Sequence, residues 1–235
     1  MKLAIIPARS GSTRIVNKNI VDFNGHPLIY YPLKAAQEAN IFDEIHVSTD
    51  SEYYAEIVRG LGFEVSFLRA PELGKNDIGI ADVLRWVVSE YERRGANVSQ
   101  VCSITATAPL IDAGDIVRAK EIFEEYGETK PVLAVTSFPA PIEQSLVVGD
   151  DGALRAVFPD KFFLPSQQLM KTYQDAGSIF YIGRSLLMEQ EVPAYSDCYP
   201  LVLPREKVID IDEYEDLAVA KALYLGRLHT LSSPD

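Results

Sequence analysis

Residues 5–19 read Ile5-Ile6-Pro7-Ala8-Arg9-Ser10-Gly11-Ser12-Thr13-Arg14-Ile15-Val16-Asn17-Lys18-Asn19, an apolar strand pattern that runs into a loop of small residues and three cations. A glycine among serines lets main-chain N–H groups approach an anion without an obstructing Cβ. Arg9 can grip anionic oxygens in pairs, and Lys18 supplies a point charge. The loop has neither the Walker A nor the Gly-x-Gly-x-x-Gly pattern. It therefore predicts another kind of phosphate-binding loop, with solvated surface cations as the alternative.

Around this stretch, strand-like and helix-like segments alternate through the first 140 residues. Short runs rich in Val, Ile or Leu predict strands at 3–7, 44–48, 64–67, 100–105 and 132–138. Apolar residues at the spacing of one helix face lie between them, as at Val83, Leu84, Val87, Val88 and Tyr91. This alternation predicts an α/β fold with a mainly parallel sheet and helices on both faces. Ligands bind such sheets outside the carboxyl ends of the strands, where the loop of residues 9–18 falls.

From about 139 to 177 the alternation stops. Residues 144–148 and 153–158 are predicted to pair as a hairpin across a Gly-Asp-Asp-Gly turn. We interpret 139–177 as a small lobe inserted within a single domain of residues 1–235. Its apolar residues Phe158, Phe162, Phe163 and Leu164 exceed what a hairpin can bury, which favours a partner subunit. Strands at 178–182 and 207–211 and a helix at about 213–228 complete the predicted order.

Composition limits the class of protein. The chain has 235 residues, of which 47% are hydrophobic, and this is enough for a full core. A formal net charge of −12 argues against nucleic acid as a partner, although the first 18 residues hold four Lys or Arg and no acid. Cys102 and Cys198 lie far apart, so we expect neither a disulfide nor a zinc site, and a reduced cytoplasmic environment. We expect no membrane span and no signal peptide.

Two carboxylates near the end of the chain are candidates for metal binding. Asp210 and Asp212 stand two apart in a strand-like run, so both point to one face while Ile209 and Ile211 point into the core. Mg²⁺ is typically held by one or two carboxylates together with phosphate oxygens and water. The same spacing also fits a solvated strand end, with Asp212 capping the helix that follows.

The motifs together resemble those of the cytidylyltransferases that make CMP-activated nonulosonic acids such as CMP-sialic acid. Arg-x-Gly-Ser followed by Lys-Asn stands at 9–19, Val-Ser-Thr-Asp at 47–50, Phe-Leu-Arg-Ala-Pro-Glu-Leu at 67–73 and Ile-Asp-Ile-Asp at 209–212. Their order and spacing are similar over almost the whole chain. Thr-Ala-Thr-Ala-Pro at 105–109 and Tyr-Gln-Asp-Ala-Gly at 173–177 are more similar to the pseudaminic acid branch.

The resemblance implies a Rossmann-like nucleotidyltransferase that condenses CTP with a nine-carbon sugar acid, requires Mg²⁺ and forms a homodimer through the inserted lobe. It implies catalytic roles for Arg9 and Lys18 and a metal site at Asp210 and Asp212. The implied nucleotide-binding residues are Ala8, Arg9, Ser10, Gly11, Ser12, Lys18, Asn19, Arg69 and Asp77, and the implied sugar-binding residues are Thr105, Gln167 and Asp175. Read without the resemblance, Arg69 fits a surface loop, Asp175 a local turn, and Ser48, Thr49 and Asp50 the cap of the next helix.

Three other functions stay open at this point. An Asp-x-Asp glycosyltransferase normally has its acidic pair in mid-chain and lacks the cationic loop. A phosphatase that uses Asp-x-Asp needs a whole domain after the motif, and only about twenty residues follow. A non-catalytic CTP-binding protein is the third, because Thr13, Pro165 and Gln174 stand where relatives carry Lys, Arg and His. Release of pyrophosphate from CTP separates the glycosyltransferase and the non-catalytic protein from the cytidylyltransferase.

Overall fold

Six of the described strands form one sheet, and four others form two short hairpins. The computed structural model describes residues 1–74, 78–189 and 197–232. The described strands are β1 (Lys2–Pro7), β2 (Asp22–Phe23), β3 (His26–Pro27), β4 (Glu44–Ser48), β5 (Gln100–Ile104), β6 (Val132–Ser137), β7 (Leu146–Val148), β8 (Leu154–Ala156), β9 (Tyr173–Gly183) and β10 (Tyr199–Val202). The described helices are α1 (Tyr30–Ala39), α2 (Glu52–Gly60), α3 (Ile80–Arg93), α4 (Ala113–Glu125), α5 (Arg184–Leu187) and α6 (Tyr214–Ser232).

The sheet has the strand order β10-β6-β9-β5-β1-β4. β1 pairs in parallel with β4 and β5, and β10 pairs in parallel with β6. β9 runs antiparallel to both of its neighbours, β5 and β6. The expectation of a mainly parallel α/β sheet is therefore confirmed, with β9 as the reversed strand.

Alternate residues of β1 enter two separate cores. Ala4 and Ile6 lie in a cluster with the buried faces of α1, α2 and α4, whereas Leu3 and Ile5 lie in a cluster with α3 and α5. All four side chains are fully buried. Successive residues of a strand point to opposite faces, so helices must cover both sides of a strand that is apolar throughout. No helix within the described ranges combines the length and the apolar character needed to cross a bilayer.

Two predicted strands are absent. Residues 64–67 are not part of any sheet, because the chain crosses the end of β4, where the Arg69 amide donates to the carbonyl of Thr49 at 2.7 Å. Residues 207–211 also lie outside the sheet, since a 3-10 turn at Arg205–Lys207 leads the chain away from it. The edge position next to β6 is taken instead by β10, which the sequence analysis missed.

The chain leaves the sheet after Ser137 and returns at Tyr173, which are paired residues of β6 and β9. Between them, β7 and β8 form the predicted antiparallel hairpin. The register of β9 against β6 then shifts between Leu133 and Val135, so four residues of β9 face Ala134 alone. Gly177 lies in this bulge with φ of +59°, a left-handed conformation that favours glycine.

Candidate active site

A cleft of about 540 Å³ opens at the carboxyl ends of β1 and β5. Its walls come from the loop after β1, Arg69, the start of α3, the segment after β5, and Asp212. This is the position that the strand order predicts for a ligand, because loops at this edge converge from neighbouring parallel strands. One wall is apolar, formed by Ile78, Ile80 and Val83, and sequence analysis did not identify it as part of a site.

The cation-bearing loop is held at both of its ends. At its start, the Ala8 amide donates to the carbonyl of Ser48 at 2.9 Å, which extends the pairing of β1 with β4. At its end, the buried side chain of Asn19 donates to the carbonyl of Arg9 at 2.9 Å. The loop residues between these points are thereby fixed around the mouth of the cleft.

Asp50, two residues beyond the end of β4, supports the same loop. Its carboxylate accepts the Ser10 amide at 2.9 Å and the Ser10 hydroxyl at 3.3 Å. A side chain at Gly74 would meet the same carboxylate at 3.0 Å, so the chain approaches Asp50 closely from a second direction. The expectation that Asp50 caps the next helix is wrong, because Ser51 caps α2 by accepting the Tyr54 amide at 3.3 Å.

Arg69 is a buried cation, with 5% of its surface exposed, and it lines the cleft. Its Nε donates to the Ser48 hydroxyl at 3.0 Å, and a terminal nitrogen donates to the Ser48 carbonyl at 2.6 Å. Burial lowers the pKa of Arg69, the Asp50 carboxylate opposes this, and the Arg9 cation adds to it. Arginine remains charged in proteins. Arg69 is therefore a fixed positive charge in the cleft wall and not the surface residue that its sequence context also allowed.

Lys18 joins the loop to residues 210–213 near the end of the chain, which are called the acidic segment below. Its Nζ donates to the Ile211 carbonyl at 2.7 Å and to Asp212 Oδ1 at 3.0 Å. A terminal nitrogen of Arg14 lies 2.7 Å from Asp212 Oδ2. The backbone amides of Asp212 and Glu213 both donate to Asp216, at 3.0 and 2.8 Å. Asp216 therefore fixes the backbone of the acidic segment, a role that sequence analysis did not assign.

The two carboxylates of the acidic segment influence one another. The pKa of Asp210 is raised, first by loss of water around the carboxyl group and then by the nearby Asp212 carboxylate. The pKa of Asp212 is lowered, chiefly by its hydrogen bond from Lys18. Ile211 between them is fully buried, as predicted, beside the partly buried Ile209. The carboxylates are thus close enough to repel each other while the isoleucines pack inward.

The carboxylates of Asp210 and Asp212 fit a magnesium site in which phosphate oxygens supply other ligands of the ion. Within the described ranges, no three or more His, Cys, Asp or Glu side chains converge as a complete protein cage for a metal. Mg²⁺ commonly takes only one or two carboxylates and completes its coordination with water and substrate phosphates. Asp212 lines the cleft and Asp210 does not, but the Asp212 carboxylate raises the pKa of Asp210, so these two carboxylates are the ones that would hold the ion.

The cleft is lined by several of the residues chosen from the sequence: Arg9, Gly11, Ser12, Lys18, Asn19, Arg69, Thr105 and Asp212. Ala8 lies in the core and Ser10 is bonded to Asp50, so neither lines the cleft. Gln167 is exposed in the inserted segment. Asp175 accepts the Gly177 amide at 2.8 Å, which is the local turn bond that its context also predicted. Asp77 lies outside the described residues.

His46 is a fully buried titratable residue whose pKa is influenced by the Arg69 cation of the cleft. Burial lowers the pKa of His46 to about 3, and the cations of Arg69 and Arg94 act in the same direction. Its ring stacks on Phe67, and Nδ1 is paired with the Tyr91 hydroxyl at 3.3 Å. A neutral histidine enclosed in this way supports the core and is unsuited to serve as a base for the cleft.

Comparison with known families gives a match to the cytidylyltransferase family model over residues 3–192. The chain is 34% identical over 223 residues to the pseudaminic acid cytidylyltransferase of Campylobacter jejuni, covering 94% of this chain and 95% of that protein. It is 30% identical over 217 residues to the N-acylneuraminate cytidylyltransferase of Streptococcus agalactiae, covering 91% of this chain and 51% of that protein.

Solved structures share the fold. The structure of CMP:2-keto-3-deoxy-manno-octonic acid synthetase complexed with CTP matches with a TM-score of 0.71 at 17% identity, covering 96% of this chain and 99% of that one. A 4-diphosphocytidyl-2C-methyl-D-erythritol synthase from Anaerococcus prevotii matches with a TM-score of 0.62 at 13% identity, covering 96% of each chain.

We predict that Asp50→Ala loosens the loop after β1, because Ser10 loses the acceptor of its amide and of its hydroxyl. Hydrogen bonds to a charged group each contribute about 1.5–3 kcal/mol, so amides 9–14 should exchange with solvent at least about tenfold faster. Hydrogen exchange read by mass spectrometry on loop peptides measures this directly.

Asp43→Ala is the matched control, since Asp43 accepts the Lys2 amide at 2.6 Å at the opposite end of β1. It should lower the unfolding temperature similarly while leaving exchange in the loop unchanged. Equal exchange in the loop for both variants would show that Asp50 does not hold it.

Proposed function

The chain belongs to the cytidylyltransferase family, as its motifs predicted, and we propose that it condenses CTP with a nonulosonic acid to give the CMP-sugar and pyrophosphate. The observation that carries this proposal is the cleft in which the cations of the β1 loop meet the acidic segment through Lys18 and Asp212. Similarity to the pseudaminic acid cytidylyltransferase over nearly the full length of both chains supports the class of acceptor.

In the proposed reaction, the anomeric hydroxyl of the sugar acid attacks the α-phosphorus of CTP. A new oxygen–phosphorus bond forms, the bond to the β-phosphate oxygen breaks, and pyrophosphate leaves with the electron pair. The hydroxyl proton passes to solvent, since the described cleft offers no evident general base. Catalysis of this kind depends mainly on positioning and on neutralising charge as it develops.

Different residues of the chain would position the triphosphate and neutralise its charge. Arg9, Ser12 and Lys18 would hold the triphosphate, with Lys18 kept in place by its bond to the Ile211 carbonyl. Arg69 would supply a second fixed charge that needs no rearrangement, because the Ser48 bonds already orient it. The apolar wall formed by Ile78, Ile80 and Val83 would face the uncharged part of the nucleotide.

Asp210 and Asp212 would hold Mg²⁺ together with phosphate oxygens. When bound, the ion would neutralise phosphate charge and lower the pKa of the attacking hydroxyl. The Asp212 carboxylate raises the pKa of Asp210, and a divalent cation held by both residues would oppose that effect, which supports this assignment.

The acceptor proposed is a pseudaminic-type sugar. Thr105 lines the cleft, and its amide donates to the Ser178 carbonyl at 2.9 Å. That bond links the end of β5 to the bulge that contains Gly177 and follows Asp175. Thr105 and Asp175, the two residues that favour the pseudaminic branch, therefore belong to connected segments, of which Thr105 lines the cleft.

A homodimer built by the inserted lobe is also proposed. Leu146, Val147, Val148 and Leu154 of the hairpin are all exposed, and Phe163 is 90% exposed. A hairpin of this size has no core of its own, so a second copy of the chain is the partner that would cover these side chains.

A cytoplasmic site of action is consistent with the two free cysteines, Cys102 and Cys198.

We predict pyrophosphate release when the protein is given CTP, Mg²⁺ and pseudaminic acid, with kcat/KM at least about a hundredfold above that for N-acetylneuraminic acid. Asp175→Asn should narrow this gap, whereas Asp43→Asn, distant from the cleft, should leave it unchanged. A coupled phosphate assay with pyrophosphatase measures both. Equal use of the two sugars would remove the protein from the pseudaminic branch, and no release with any sugar acid would favour a non-catalytic CTP-binding protein.

Activity should require a divalent metal and both acidic residues. Asp210→Asn and Asp212→Asn should each lower kcat by at least about a hundredfold, the scale of losing one preorganised electrostatic contact to the transition state. EDTA should abolish turnover in the wild-type protein, and excess Mg²⁺ should restore it. Near wild-type turnover in both variants, with circular dichroism unchanged, would end the metal assignment.

Light scattering at micromolar concentration should give twice the chain mass of 26.1 kDa. Phe163→Ser should shift the mass toward that of one chain, because it removes apolar surface from the lobe. Tyr53→Ser is the control, since Tyr53 is also exposed but lies on α2 outside the lobe. A wild-type mass of one chain would contradict the dimer.

A further inference from the structure

Both carboxylate oxygens of Asp212 are already occupied by cations of the protein. Arg14 lies 2.7 Å from Oδ2, and Lys18 Nζ lies 3.0 Å from Oδ1. A carboxylate in this state is a poor ligand for a free divalent ion, because the ion must first displace a cation that is paired with it. Whether a metal can bind Asp212 therefore depends on how easily Arg14 or Lys18 can leave the carboxylate.

The two cations differ in how easily they can leave. The Lys18 side chain is 19% exposed and has a second bond to the Ile211 carbonyl. An ammonium group has three donors, so Lys18 can keep both bonds and still offer one N–H to a phosphate. The Arg14 side chain is 60% exposed and lines the cleft. Exposed ion pairs are weak, typically below about 1 kcal/mol, so Arg14 can exchange partners readily.

We propose that Arg14 is a latch on Asp212, a proposal that rests on the function proposed above. Without nucleotide, Arg14 occupies Oδ2 and keeps divalent metal away from the acidic segment. A bound triphosphate offers Arg14 several anionic oxygens, draws it off the carboxylate, and so frees Asp212 for the metal. Arg14 is then both a triphosphate ligand and the residue that makes metal binding depend on nucleotide.

The net charge of the cleft supports this direction. Without nucleotide, Arg14 and Lys18 balance the charges of Asp210 and Asp212, and Arg9 and Arg69 add further positive charge, so the cleft attracts a divalent ion weakly. A triphosphate adds negative charge to this group, and the attraction for a divalent ion then becomes strong. The two ligands thus favour each other by thermodynamic linkage.

Arg14→Gln tests the latch because it should change the affinity for Mn²⁺ and the affinity for CTP in opposite directions. Binding of Mn²⁺ to the nucleotide-free protein, measured from the free-ion signal in electron paramagnetic resonance, should tighten about tenfold. Binding of CTP in EDTA, measured by titration calorimetry, should weaken at least about fivefold. Asp212→Asn should do the reverse, with Mn²⁺ binding weakened and metal-free CTP binding strengthened.

Arg93→Gln is the matched control. Arg93 is also an exposed arginine in an ion pair, with Glu90 on α3, and its removal changes the net charge equally. It should leave both affinities unchanged. If Arg14→Gln leaves Mn²⁺ affinity as in the wild type, or weakens both ligands, the latch is wrong. If the wild-type protein binds no CTP even with saturating Mg²⁺, the proposed function itself fails, and the latch with it.

Discussion

The bond from Lys18 to the Ile211 carbonyl joins two segments that lie 193 positions apart in the chain. The loop after β1 and the acidic segment before α6 both lie outside the sheet, so strand pairing does not fix their separation. Ile15 from the loop and Ile211 from the segment share one buried cluster, which stabilises the same approach from the apolar side. The cations proposed to hold phosphate and the carboxylates proposed to hold a metal would act on one ligand because this contact holds the two segments together.

Much of the fold and part of the cleft could be predicted from local sequence. The loop after β1 depends on small residues, cations and a preceding strand, all within fifteen positions, and the strand alternation sets its place at the sheet edge. Residues 64–67 have the sequence pattern of a strand, but Phe63 and Val65 are buried by loop packing and not by strand pairing. The contact of Asp50 with Ser10 could not be predicted either, since the two residues lie 40 positions apart. Contacts of this range leave no periodic signal in the sequence.

The charge of the molecule and the charge of the cleft have opposite signs. The chain carries a formal net charge of −12, yet Arg9, Arg14, Lys18 and Arg69 line one cleft. Fields are screened over about 8 Å at physiological ionic strength, so these cations act on a ligand only near contact. Long-range steering contributes little for an anionic ligand here, and recognition relies on Lys18 and Arg69, which backbone and side-chain bonds hold in position.

The inserted segment begins and ends at neighbouring points, because Ser137 and Tyr173 are partners across β6 and β9 and the Phe138 amide donates to the Thr172 carbonyl at 3.4 Å. A segment with hydrogen-bonded stems can lengthen or shorten with little strain on the strands that carry it. The entropic cost of closing such a segment grows only slowly, by about 0.6 kcal/mol for each doubling of length. The segment proposed to carry the association surface can therefore change in length while the sheet and its cleft stay the same, so a change in self-association need not change the chemistry.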